Sequence, residues 1–288
     1  MKILLFGGSG QLGLEVSKRA LDLNFELISP VINELNITDR EQVLFLTKKL
    51  KPEIIINAAA YTAVDKAEEE SELAFSINRD GAGYVAEAAK QIGSRLFHIS
   101  TDYVYPGTGD KPILETDETD PLSVYGKSKL AGDETVLSTY SEGSLILRIS
   151  SLHGRYGHNF IHTMLKLFSE KDELKIVSDQ VMSPTWAGWL AEVLLDLSRI
   201  ECKGIVHACC QGEVSWYGFA EEAYKIAEPH LSRSSKLELV PIPAVEYPTP
   251  ATRPKYSVLD CRKLTGLLGR EPIPWQEGLR YHLSELGY

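Results

Sequence analysis

Tyr125 and Lys129, in Val124-Tyr-Gly-Lys-Ser-Lys129, are four residues apart, the spacing that puts two side chains on one face of a helix, one turn from each other. A free tyrosine has a pKa of about 10 and is a poor proton donor or acceptor near neutrality. An ammonium held beside it stabilises the phenolate, lowers that pKa and makes the hydroxyl a usable general acid. Thr101 belongs with them. It falls in Ile99-Ser-Thr-Asp-Tyr103 at the end of a predicted strand, and its hydroxyl is available to the same substrate oxygen. Together the three would serve proton transfer to an oxygen that gains negative charge.

A second chemical signal lies at the start of the chain. Lys2-Ile-Leu-Leu-Phe6 runs straight into Gly7, Gly10 and Gly13 and then into a helix-forming stretch. Glycine is required where a strand turns tightly into a helix, where the backbone approaches a pyrophosphate and where that helix packs on its strand. The phosphates of a dinucleotide then sit on the N–H groups of the helix N-terminus.

The elements that must position these groups alternate. Short apolar runs predict strands at 2–6, 25–29, 53–57, 95–99 and 144–148. Helical patterns fall between them at 11–23, 40–50, 68–91 and 124–138. Such alternation predicts an α/β fold, a Rossmann-type doubly wound parallel sheet with helices on both faces and ligands at the C-terminal strand ends. Gly7, Ala58 to Ala60 and Thr101 all fall at such ends. After residue 150 the pattern loosens, with helices expected near 159–169, 185–199 and 215–228 and proline-rich connections from Pro241 to Pro254.

Composition excludes several function classes. A length of 288 residues fits one large domain with a smaller appendage. A net charge of −10 argues against nucleic acid as a partner, which would need a basic footprint. No run of about 18 apolar residues suggests a membrane span, and the first strand begins without a signal-peptide layout. The expectation is a cytoplasmic protein. Cys202, Cys209, Cys210 and Cys261 lack zinc spacing. His158 and His162 are one turn apart without the glutamate of a HExxH site, so no metal is expected. The acidic run Asp65, Glu68, Glu69, Glu70 and Glu72 reads as a solvated helix face.

Over nearly its whole length the chain resembles the extended short-chain dehydrogenase/reductase family, and within it the dTDP-4-dehydrorhamnose reductase branch. The likeness is carried by Phe6 to Gly13, Asn57 to Glu68, Ser100 to Asp110, Glu115 to Asp117, Pro121 to Gly132, Asn159-Phe160 and Tyr247-Pro-Thr-Pro-Ala-Thr-Arg-Pro254. The resemblance implies reduction of the C4 keto group of a dTDP-sugar, dTDP-4-dehydro-6-deoxy-L-mannose, to dTDP-L-rhamnose. Tyr125 would donate the proton, Lys129 assist it and hydrogen-bond the nicotinamide ribose, and Thr101 position the keto oxygen. The cofactor would lie along Gly7, Gly10, Gln11, Leu12, Gly13, Asn36, Ile37, Ala58, Ala59, Ala60, Tyr61 and Ser100. Thr62, Val64, Asp102, Tyr103, Asn159 and Arg253 would join Thr101 in binding substrate, with the Arg253 fork suited to a diphosphate. The resemblance also implies residues 1–150 as the cofactor domain, 151–288 as a substrate-binding lobe partly interleaved with the main sheet, and a homodimer.

Two points stay open in the sequence. After strand 25–29 neither an acidic nor a basic residue settles NADH against NADPH; Glu34 stands near the right distance, and the reading leans to NADPH because a biosynthetic reduction commonly uses it. The family usually has Thr-Ser-Trp-Val-Tyr after the arginine of the last strand, where this chain has Ile149-Ser-Ser-Leu-His153. Ser151 thus replaces an indole that meets the sugar ring, which leaves another 4-keto-deoxysugar nucleotide open. Two further readings share these residues: an epimerase or dehydratase of the same superfamily, and a non-catalytic subunit like the regulatory subunit of methionine adenosyltransferase.

Overall fold

Every strand at the centre of the molecule sends alternate side chains to opposite faces, and both faces are apolar. The computed structural model describes residues 1–31, 34–233 and 236–288. In β1 (Lys2–Phe6), Ile3 and Leu5 join one core cluster while Leu4 and Phe6 join another. The period of two that defines a strand thus requires cover on both sides. α1 (Gln11–Asp22) follows, then β2 (Glu26–Ile28), α2 (Arg40–Leu50) and β3 (Ile54–Asn57). Ile54 and Ile56 face the first cluster and Ile55 the second.

The helix expected over 68–91 is broken. A 3-10 turn at Lys66–Glu68 and the short α3 (Ser71–Phe75) lead through a π turn at Ser76–Gly81 into α4 (Ala82–Ile92). The buried amide of Asn78 explains the break: it accepts from the Tyr61 N–H at 2.9 Å and donates to the Tyr61 carbonyl at 3.1 Å and to Ser128 Oγ at 2.9 Å. Satisfying that side chain fixes the local backbone against a neighbouring helix, and the wider π turn accommodates it. β4 (Arg95–Thr101), α5 (Val124–Tyr140) and β5 (Ser144–Ile149) complete the first half.

Beyond residue 150 come β6 (Leu152–His153), α6 (Phe160–Glu170), β7 (Glu173–Val177), β8 (Val181–Met182), β9 (Thr185–Trp186), α7 (Ala187–Leu197) and β10 (Gly204–His207). β11 (Val214–Ser215), α8 (Trp216–Ala227), β12 (Glu238–Ile242), β13 (Tyr256–Ser257), α9 (Arg262–Leu268) and α10 (Trp275–Glu285) follow. The main sheet is parallel throughout in the order β10-β5-β4-β3-β1-β2. α2, α4 and α5 cover one face. α1 and α7 cover the other, together with apolar residues of α6, α8 and α10. This is the Rossmann-type architecture that alternating strands and helices predict.

The second half donates β10 to the main sheet and builds three small sheets of its own, β11-β8-β13, β12-β7 and β6-β9. The predicted strands lie within two residues of those observed, and the helices near 159, 185 and 215 form close to their expected places. The short two-residue strands carry no readable period. Among the described residues, no helix is long and apolar enough to cross a membrane.

Candidate active site

The C-terminal ends of β1, β3, β4 and β5 open into a cavity of about 770 Å3, closed on its other side by residues of the second half. Gly10, Gln11, Leu12 and Gly13 bring the first turn of α1 to its wall, and no side chain caps that helix. The free N–H groups and positive dipole end of α1 therefore face the cavity. Gly7 lies behind this wall. It has φ +82°, and a Cβ there would come within 2.5 to 2.7 Å of the Ala58 and Ala59 backbone; only glycine lets β1 turn into α1 so close to the end of β3. A Cβ on Gly13 would stand 2.2 Å from the Gly7 carbonyl oxygen. These close approaches fit a dinucleotide whose pyrophosphate rests on α1.

The three alanines separate as an extended chain requires. Ala58 and Ala60 line the cavity, whereas Ala59 turns away into the second core cluster, its N–H donating to Asn57 Oδ1 at 3.2 Å. Tyr61 does not line the cavity; its hydroxyl donates to Glu70 at 2.6 Å. Asn36 and Ile37 also stand outside the cavity wall. Asn36 Oδ1 accepts from the Thr38 N–H at 3.0 Å, and Ile37 is buried beside Gly81. The segment after β2, which would read the ribose 2′ position, includes residues 32–33, outside those described.

Thr101, Tyr125 and Lys129 meet on one wall. α5 is placed by Ser123, whose hydroxyl caps the Gly126 N–H at 3.1 Å, and by Glu68, whose carboxylate accepts from the Val124 N–H at 2.9 Å. Gly126 and Gly132 let the helix close on its neighbours, since Cβ atoms there would lie 2.3 Å from the Tyr103 carbonyl oxygen and 2.1 Å from that of Asn78. Lys129 is 2 % exposed, and its Nζ donates to the Ile99 carbonyl at 2.7 Å. Burial lowers its pKa to about 8, against the pull of Asp133.

Tyr125 differs from the sequence expectation. Burial pushes its pKa up to about 12, and a hydrogen bond with Thr101 opposes the rise without reversing it. The ammonium that was to lower it is itself desolvated and turned to the Ile99 carbonyl. Tyr125 is thus a neutral phenol near pH 7, holding the proton that a general acid must give.

Asp102 is 3 % exposed and held inside the protein: its carboxylate accepts from Thr101 Oγ1 at 3.0 Å and from Ser150 Oγ at 2.7 Å. Burial raises its pKa, and bonds from Ser150, Ser257 and Thr101 oppose the rise. Tyr103 packs edge-on against Tyr125 with centroids 5.6 Å apart, and burial pushes its hydroxyl pKa upward. Ser100, Thr62 and Val64 line the same cavity.

The mouth is built from pairs that join distant parts of the chain. Arg253 lines the cavity and forks onto Asp65 at 2.8 and 3.0 Å, which holds the Asp65 carboxyl below its ordinary pKa. Asn159 donates to Gln11 Oε1 at 2.7 Å, and Gln11 Nε2 donates to the Leu152 carbonyl at 3.2 Å. The acidic run is therefore only partly a solvated face, since Asp65, Glu68 and Glu70 each hold a partner.

Sequence reasoning missed Asp65, Ser150, Met182 and Trp216, all of which line the cavity. Ser150, just past the end of β5, carried the same positional signal as Thr101. Trp216, packed on Phe160 with centroids 4.7 Å apart, carried none. Ser151 also lines the cavity, with φ 44°, a left-handed backbone uncommon outside glycine.

The comparisons with known proteins agree with this geometry. The profile of the family described as "RmlD substrate binding domain" matches residues 1–287. A dTDP-4-dehydrorhamnose reductase of Escherichia coli K12 is 41% identical over 299 aligned positions, covering 99% of this chain and 98% of that protein. Among solved structures, a dTDP-4-dehydrorhamnose reductase of Clostridium acetobutylicum superposes with a TM-score of 0.92 at 39% identity, covering 100% of each chain. One from Bacillus anthracis, solved in complex with NADP, superposes with a TM-score of 0.93 at 34% identity and 99% coverage of both. With the profile matched almost end to end and its relatives covered at full length, the chain belongs to the RmlD family of dTDP-4-dehydrorhamnose reductases.

Proposed function

We propose that this protein reduces the C4 keto group of dTDP-4-dehydro-6-deoxy-L-mannose with NADPH, giving dTDP-L-rhamnose. The observation that carries the reading is the meeting of Thr101, Tyr125 and Lys129 in one cavity with the uncapped N-terminus of α1. Reduced nicotinamide supplies the hydride that forms the new C4–H bond. Tyr125 gives its hydroxyl proton to the oxygen as the carbonyl π bond becomes a lone pair, so hydride and proton together complete a two-electron reduction. Thr101 stands beside the Tyr125 hydroxyl, where it orients that proton toward the substrate oxygen. The Lys129 ammonium balances the phenolate left behind.

The N–H groups of Gln11, Leu12 and Gly13 would receive the cofactor pyrophosphate, with Ala58 and Ala60 beneath it. Thr62, Val64 and Tyr103 would contact the substrate, and Arg253 and Asn159 would hold it from the second half. In this reading residues 1–150 bind cofactor and 151–288 supply the substrate side. NADPH is assigned because the solved relative from Bacillus anthracis carries NADP.

The test is to mix the protein with enzymatically generated dTDP-4-dehydro-6-deoxy-L-mannose and follow reduced-nicotinamide absorbance, with NADPH and NADH in parallel. Rapid oxidation, faster with NADPH, is expected. No oxidation by folded protein that binds nucleotide would remove the reading and point to Ser151 as the mark of a different sugar.

A further inference from the structure

The single proton of the Thr101 hydroxyl is already committed. A hydroxyl has one hydrogen to give and two lone pairs to offer. Thr101 Oγ1 donates to Asp102 Oδ1 at 3.0 Å and accepts from the Tyr103 N–H at 3.2 Å. One lone pair remains, and Tyr125 is the other side chain hydrogen-bonded to Thr101. Thr101 therefore receives from the phenol and cannot donate to a third oxygen without leaving Asp102.

Asp102 is committed as well. Its Oδ2 accepts from Ser150 Oγ at 2.7 Å, and the Ser257 hydroxyl and the residue's own N–H bond to the same carboxylate. With Thr101 that makes four donors on a group with about four lone-pair sites, which leaves none for a hydroxyl of the sugar. Donors converging in this way favour the anion against the burial that raises its pKa. An anion only accepts, so the proton between Thr101 and Asp102 belongs to Thr101. The fold builds this cluster from three directions. β4 ends at Thr101, which lies opposite Ile149 of β5 and so brings Ser150 alongside. Thr185 Oγ1 donates to the Ser150 carbonyl at 2.6 Å, and β13 delivers Ser257 from its place opposite Met182 of β8. Thr101, Asp102, Ser150 and Ser257 are all buried.

We propose that Asp102 is a positioning residue for the reduction and not a contact for the sugar: by holding the one proton of Thr101 it leaves Tyr125 as the only hydroxyl of the pair that can donate to the substrate oxygen. The inference rests on the reductase reading for its kinetic consequence and on geometry for the direction of the hydroxyl. Were the threonine proton free, two hydroxyls would compete for that oxygen, and the one that won could be the alcohol, which is a far weaker acid than the phenol. Once Tyr125 has given up its proton, a rotation about the Thr101 Cβ–Oγ1 bond turns the threonine hydroxyl from Asp102 to the phenolate, with no covalent bond made or broken.

Asp102→Asn tests the arrangement. Ser150 would keep the amide oxygen, so the NH2 would face Thr101 and return the threonine proton to the site. Turnover of NADPH with the 4-keto-sugar nucleotide is measured for wild type, Asp102→Asn, Thr101→Val and the double variant. Asp102→Asn should lower kcat by about 10- to 100-fold with KM for the sugar within about a factor of two. In the Thr101→Val background the same change should alter kcat by less than about twofold, because the group through which it acts is gone. A raised KM with kcat held would make Asp102 a sugar contact, and an equal loss in both backgrounds would make its role independent of Thr101; either result overturns the proposal.

A second measurement needs neither variant nor substrate. Neutron diffraction from deuterium-exchanged crystals of the ligand-free wild-type protein locates the hydroxyl deuterons. The Thr101 deuteron is expected on the line to Asp102 Oδ1, with no deuteron on the carboxylate. A Thr101 deuteron turned to Tyr125, or one carried by Asp102, overturns the proposal whatever the fate of the reductase reading; a wild-type protein that oxidises no NADPH would end that reading and leave the diffraction result to decide the position of the proton.

Discussion

The wall that carries Thr101, Tyr125 and Lys129 and the mouth that carries Arg253 and Asn159 are built on different principles. At the wall Thr101, Asp102 and Lys129 are buried and held mostly by near partners, the Ile99 carbonyl for Lys129 and Ser150 for Asp102, with Ser257 of the second half joining Ser150 on Asp102. At the mouth the bonds span the chain: Arg253 to Asp65 across 188 positions and Asn159 to Gln11 across 148. Arg253 and Asp65 remain 23% and 41% exposed. A wall of this kind fixes reacting atoms within a fraction of an ångström, which is what kcat depends on. The part-exposed Arg253–Asp65 pair can exchange its internal partners for those of a ligand, which bears on KM, whereas Asn159 is buried.

The largest effect that would sharpen this contrast is expected at Tyr125. Tyr125→Phe removes the transferred proton and little else, so kcat should fall by about 100- to 10,000-fold while NADPH binding, measured by fluorescence titration, stays near wild type. Unchanged turnover would end the proposed mechanism. Lys129→Met comes next. It should cost about 100-fold in kcat and also weaken NADPH, because the ammonium is assigned to the nicotinamide ribose as well as to the phenolate. An effect on kcat alone would detach Lys129 from the cofactor.

Arg253→Gln should act on the other side of the contrast, raising KM about tenfold, equivalent to about 1.4 kcal/mol, with kcat within about a factor of two. The Asp65 pair is half-exposed, so little of the change should appear as lost fold stability. Steady-state kinetics decide the matter: a fall in kcat comparable to that of Tyr125→Phe would mean that the mouth belongs to the reacting machinery and that the two regions are one.

The same contrast explains what the sequence disclosed. Strands and helices of the first half were readable because a parallel sheet covered on both faces demands uninterrupted apolar runs such as Ile54-Ile-Ile56, and because glycines at 7 and 13 answer a steric need that no other residue meets. Thr101, Tyr125 and Lys129 were readable because strand ends and an i,i+4 spacing are local facts. The direction of the Tyr125 pKa was not, since burial is a property of the assembled site rather than of a spacing. Nor were the π turn at Ser76–Gly81, which follows from the bonds of one buried amide, or β10, whose place beside β5 is set by packing. Asp65 read as a member of a solvated run because its partner stands 188 residues away. His153, His282 and His162 form another such hidden contact, a row with successive ring nitrogens 3.1 and 3.4 Å apart.

Asn159 stands between the two regions and gives the smallest expected effect. Its side chain caps α6 by accepting from the His162 N–H at 3.2 Å, and it donates to the Gly154 carbonyl at 2.8 Å as well as to Gln11. Asn159→Ala should therefore lower stability by about 1 kcal/mol, the usual value of a lost cap, read as a shift in the urea midpoint. It should also leave the Gln11 amide with the Leu152 carbonyl as its remaining bond to the second half. If the Gln11 contact serves only to close the fold, KM values for NADPH and for the sugar should both stay within about a factor of two, because the α1 N–H groups would be unmoved. If the contact ties cofactor and substrate sides together, both KM values should rise while kcat holds. The pattern of KM changes, more than their size, then shows whether the mouth is one latch or two independent pairs.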